Sequence, residues 1–192
     1  MEKNRKIIYL AGFLFSVTLA LTSYINSSFL ETYINEYYVS AIYIISSIIT
    51  IWGFFKMPKV LTHLGNRFTA FMFGTLILLS LILLATGNSI FIIIPAFVMY
   101  FLSTNLIIAS LDIFIEDFSK NSTIGKIRGT YLMIINSAWV IAQVVSGSII
   151  AKTSFQGIYL FSASFIILFL LIFIFFLRNF KDPKYKKVSV LK

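Results

Sequence analysis

The 192-residue chain contains no cysteine, so disulfides, thiolate metal sites and cysteine nucleophiles are all excluded. A single histidine, His63, leaves no multi-histidine metal cluster. Proline is scarce, with three in the whole chain, and charged residues make up only 12%. Soluble domains carry about a quarter charged residues, so this shortage turns most side chains toward lipid or one another. Also absent are H-E-x-x-H, G-x-S-x-G, a pair of aspartates deep in a helix and a glycine-rich phosphate loop. Their absence argues against an intramembrane enzyme and excludes P-loop ATP hydrolysis. No cofactor and no metal ion is implied.

What is present is apolar. Hydrophobic residues make up 59% of the chain, 21 of them phenylalanine, and the mean hydropathy is +0.93. The composition is that of an integral membrane protein whose first partner is the lipid bilayer. A net charge of +9 would suit nucleic acid, but the cations lie in short clusters between apolar runs, not on one soluble face. Nucleic acid is therefore not an expected partner.

Six stretches can each supply the roughly 20 apolar residues that carry a helix across about 30 Å of hydrocarbon. They are read as 7–29, 37–56, 68–87, 89–115, 130–151 and 155–178, followed by a basic tail over 179–192. The runs are continuous and lack the alternation of a barrel wall, and helices satisfy their own backbone groups in lipid. An all-α bundle of six transmembrane helices is expected.

Orientation follows from the cations. With the N-terminus inside, Lys3, Arg5 and Lys6, then Lys56, Lys59 and Arg67, then Lys120, Lys126 and Arg128 fall in the cytoplasm. Arg178, Lys181, Lys184, Lys186, Lys187 and Lys192 join them, which leaves Lys152 alone outside. That positive-inside asymmetry gives an N-in, C-in topology, with Glu31, Glu36 and Tyr33, Tyr37 and Tyr38 in the first external segment. The basic start "MEKNRK" invites a signal-peptide reading, but no small-x-small cleavage site follows the apolar run. The expected location is a prokaryotic cytoplasmic membrane.

Three of the seven acidic residues, Asp112, Glu116 and Asp117, gather in "SLDIFIEDFSKNSTIGKIRG", residues 110–129. Asp112 and Glu116 share one helical face, with Asn105 on the same side. A carboxylate at the edge of hydrocarbon is costly and seeks a cation, for which Arg67 and Arg128 are the candidates. Such a charge network would hold the cytoplasmic face closed in one conformation. A solvated acidic helix end is the alternative.

Six helices with a basic 2–3 loop and a charged 4–5 loop resemble the N-terminal half of a major facilitator superfamily transporter. That family's 2–3 loop follows G-x-x-x-D-[R/K]-x-G-R-[R/K], and the segment here is "PKVLTHLGNR", residues 58–67. Gly65 and Arg67 match, whereas Pro58, Thr62, His63 and Asn66 depart. "IEDFSKNSTIGKIRGTYLMIINSAWV" is similar to the family's acidic helix-4 end, short loop and Arg-Gly opening of helix 5. "LRNFKDPKYKKVSVL" resembles the start of its interdomain linker. The family's helix-5 antiporter motif is matched only at Gly147 within "AWVIAQVVSG".

The resemblance implies a 3+3 inverted-repeat bundle. It also implies a secondary carrier of a small solute working by alternating access, with Gly65 and Arg67 in the cytoplasmic gate. The chain would supply one six-helix half and need a second, either a C-terminal half or a copy of itself. Asn26, Asn105, Asn136, Trp139 and Gln143 then become candidates for the substrate cavity. Interhelical hydrogen bonding is the alternative for each of them. Ala138, Ala142 and Ser146, spaced by four, permit a close helix approach. A non-transporting membrane scaffold remains the competing function, and would pack the amides Asn105, Asn136 and Gln143 against neighbouring helices.

Overall fold

The computed structural model describes residues 2–119, 122–178, 180 and 182–185, the side chains of residues 2 and 3 excepted. Lys120, Lys181, Lys186, Lys187, Lys192 and most of the tail 179–192 lie outside the described residues. The described chain is helical, with no strand among its residues. Its elements are α1 (Glu2–Ser23), α2 (Asn26–Glu31), α3 (Glu36–Thr86), α4 (Ile90–Asp117), α5 (Ile124–Lys152) and α6 (Phe155–Phe175). All except the six-residue α2 are long and apolar enough to cross a bilayer.

Local chemistry sets several of these boundaries. Asn35 opens α3 by accepting the Tyr37 amide at 3.1 Å, and Ser89 opens α4 by accepting the Phe91 amide at 3.3 Å. Both satisfy a donor that the first turn of a helix leaves unpaired. α1 ends at Ser23, and the residues assigned to its outer end form α2 instead. α4 runs continuously through Pro95.

α3 has 51 residues, and a straight helix of that length would span about 76 Å, over twice the hydrocarbon thickness. It is broken at Gly65, whose φ of 76° and ψ of 163° are not helical. The two arms, 36–64 and 66–86, run in opposite directions along α4. Tyr43 packs on Phe97 and Phe101, and Gly53 lies against Leu102 and Leu106, in ascending order. Asn66 then meets Ser110, while Gly87 lies beside Ile92 and Ile93, in descending order. The stretch read as a loop between two spans is thus helical on both sides of one glycine.

α1 is the central post. Tyr9 donates to the Ile127 carbonyl of α5 at 3.1 Å, Thr18 donates to the Ser162 carbonyl of α6 at 3.2 Å, and Thr22 shares a 2.5 Å bond with Tyr100 of α4. The second arm of α3 closes on α6, where Gly74 lies against Phe169 and Leu170. α5 is the most exposed helix, and its buried contacts include Ala138, Ala142 and Ser146. Small side chains at that spacing let α5 lie close to the bundle with little buried volume.

The start of α1, the break in α3, the end of α4, the start of α5 and the end of α6 share one end of the bundle. Arg5 and Lys6 border the same pocket as Lys126, and Arg67 lies beside Arg178. This is called the basic end below.

Candidate functional site

Two regions gather the polar side chains. The first is a chamber of about 320 Å³ bounded by the end of α1, the start of α2, the first arm of α3 and the middle of α4. Asn105 lies about 22 Å along α4 from its start, well inside the span. It is half-buried and donates its amide to the Phe101 carbonyl one turn back, at 2.8 Å. Asn26, buried at the start of α2, accepts the Tyr159 hydroxyl at 3.0 Å. Asn26 and Asn105 therefore line one chamber, together with Tyr43, Tyr100 and Thr104.

The three α5 residues lie elsewhere. Gln143 is exposed and donates to the Tyr24 hydroxyl at 2.5 Å, while Trp139 meets the same tyrosine ring edge-on at 6.1 Å. Asn136 is exposed and donates to its own Leu132 carbonyl at 2.7 Å. Tyr24, adjacent to the chamber residue Ser23, was not marked by any spacing. A tyrosine at a helix end reads as interfacial, and only the tertiary approach of α5 gives it this partner.

The second region is the basic end. Arg128 donates to the Asp112 carboxylate at 2.8 Å, which joins the end of α4 to the start of α5. Both side chains are substantially exposed, so the pair adds at most about 1 kcal/mol to stability. Arg67 does not join it. Its guanidinium donates to the Arg178 carbonyl at 2.7 Å, and its backbone N–H points at the Asp182 carboxylate, 3.2 Å from each oxygen. Glu116 is exposed.

A strap crosses this end. Phe180 packs edge-on against Phe114 and Phe118, with ring centroids 5.8 and 4.9 Å away. Asp182 sits directly on Gly65 and caps the first turn of the second α3 arm through the Asn66 and Arg67 amides. Tyr185 donates its hydroxyl to Asp117 at 2.7 Å. Partial burial pushes the Asp182 carboxyl up from its ordinary range, against the opposing pull of those amides and of the Arg67 guanidinium. Burial, reinforced by the Asp117 carboxylate it donates to, likewise raises the Tyr185 phenol and keeps it protonated.

Asn66, which stands at a basic position of the resembling motif, is fully buried. It donates to the Ser110 carbonyl at 2.9 Å and accepts the Ser110 hydroxyl at 2.5 Å. That clamp fixes the second α3 arm to α4 immediately after the break.

Neither a family model nor a curated protein sequence matches this chain.

Proposed function

We propose that this chain is one six-helix half of a secondary-active carrier for a small solute, similar to the major facilitator superfamily. It would cross the membrane six times, counting the two α3 arms separately, with both termini cytoplasmic. The observation that carries the reading is the chamber lined by Asn26 and Asn105, which reaches from the end of α1 to the middle of α4. A scaffold would seal its amides between helices; Gln143 does bond across to Tyr24, yet among the described residues Asn105 bonds only its own helix and borders the chamber. An amide facing hydrocarbon with unmet hydrogen-bonding capacity costs roughly 2 kcal/mol or more, whereas a wet cavity supplies water or solute. The six-helix half would rock against a second bundle around this chamber.

Two measurements test it. Single cysteines at Ser28 and Lys152 are expected to react with an impermeant maleimide added outside whole cells, and one at Ser122 is expected to react only after lysis. External labelling at residue 122 would reverse the orientation. In liposomes, counterflow of solute is expected only when a second six-helix body is present, be it another chain or a copy. Uptake by a demonstrated monomer would end the half-carrier reading.

The Asp112–Arg128 pair and the strap would then hold the cytoplasmic end closed. Arg128→Gln is expected to leave thermal stability within about 1 kcal/mol, because the pair is exposed. It should nonetheless raise the accessibility of a cysteine placed in the chamber to a reagent added from the basic end. Unchanged accessibility would return the pair to the role of a solvated helix end.

A further inference from the structure

Among the described residues, the chamber's lining includes no charged side chain. The nearby carboxylates Glu31 and Glu36 border a separate outer pocket, which shares Tyr43 with the chamber. An ion stripped of water beside such walls would meet no counter-charge, and an unpaired buried charge is penalised far more than a neutral polar group. Neutral hydrogen-bonding capacity, by contrast, is available in both senses. Asn105 spends its donor on the Phe101 carbonyl and keeps its carbonyl oxygen as an acceptor. Asn26 is the converse: its oxygen is taken by Tyr159 and its amide nitrogen remains a donor. The Tyr43 hydroxyl makes no hydrogen bond among the described residues, while its ring stands edge-on to Phe101. Thr104 borders the chamber, but its hydroxyl is buried beside that of Tyr100 and is not open to the space.

We infer that the chamber binds an uncharged, hydroxyl-bearing solute about the size of a monosaccharide. Asn26, Tyr43 and Asn105 provide its polar contacts, and the Tyr43 and Phe101 rings its apolar wall. The volume of about 320 Å³ lies at the small end of the range of ligand pockets, roughly 300–1,000 Å³, and admits one such molecule. The inference rests on the carrier reading for the purpose of the site, and names the chemistry of its cargo.

The test is calorimetric titration of the purified full chain in detergent with D-glucose, myo-inositol and uridine as uncharged probes. D-glucose 6-phosphate and tetraethylammonium are the charged ones. At least one uncharged probe is expected to bind saturably, with affinity falling about three- to tenfold in Asn105→Ala, the loss of one neutral hydrogen bond. Tyr43→Phe removes a hydroxyl alone and serves if that variant loses its helical circular dichroism. Binding of a charged probe that Asn105→Ala abolishes, or no binding of any uncharged probe, overturns the inference. Uptake in liposomes separates the two readings. Binding of an uncharged probe without transport under any pairing removes the carrier and leaves the chamber's chemistry. Uptake of a charged probe that depends on Asn105 does the reverse.

Discussion

Gly65→Ala is expected to lower the stability of the folded chain by about 1–3 kcal/mol, because φ near 76° with ψ near 163° is a region that essentially only glycine occupies. A Cβ added there would also run into the Asp182 carboxylate. The two causes can be separated. Asp182→Ala in the Gly65→Ala background removes the collision but not the backbone strain, so it should recover only part of the loss. Asp182→Ala alone should cost less than Gly65→Ala, since the carboxylate is only partly buried and its role is to cap two amides. Denaturation midpoints of the purified protein, with limited proteolysis across 176–186, would read both effects. A Gly65→Ala protein as stable as the parent would mean that the break does not need its glycine.

The second large effect is expected where the resembling motif would mislead. Restoring its basic residue with Asn66→Arg should cost about 3–5 kcal/mol, the scale of a buried charge left without a partner. The Asn66 side chain is fully buried between the second α3 arm and α4, and Asp182, whose carboxylate takes its backbone amide, already faces Arg67. Asn66→Ala should be milder, about 1–3 kcal/mol, because it deletes the clamp on Ser110 without adding charge. The fraction of monodisperse protein after detergent extraction, ranked wild type above Asn66→Ala above Asn66→Arg, is the readout. An Asn66→Arg protein that extracts as well as wild type would show that a guanidinium can escape from this position.

Some features were legible because they depend on neighbours in sequence. Apolar runs long enough to span a membrane became helices, since such backbone can satisfy itself only locally in lipid. The four-residue recurrence of Ala138, Ala142 and Ser146 marked the face that α5 buries, because side chains at that spacing share a face whatever surrounds them. Arg128 was named as a partner for the acidic end of α4, and it pairs with Asp112, sixteen residues away across one short connection. Arg67, with three carboxylates in view, took none of them. Its neighbour is Asp182, 115 residues away, which no periodicity could supply.

The polar residues divide in the same way. Asn26, Asn105, Asn136 and Gln143 stood out as amides in an apolar chain, yet only the first two share a chamber. Tyr43, Tyr100 and Thr104 complete its lining, and in a chain with 10 tyrosines and many hydroxyls they carry no mark of their own. The amides were conspicuous by type. Their grouping was a matter of helix rotation, which a weakly amphipathic helix does not encode.

The sequence by itself determined the helical class, the length and apolar character of the long elements, and the clustering of cations at one end. Each depends on hydrogen bonds or composition within a few residues. Only the tertiary structure decided that α3 doubles back at one glycine, that Phe180 and residues 182–185 pack over the basic end, and that an uncharged chamber lies between α1, α3 and α4. Those outcomes depend on which of several equally apolar faces pack together. In lipid, where hydrophobicity cannot discriminate among such faces, close packing and a few long-range hydrogen bonds make the choice.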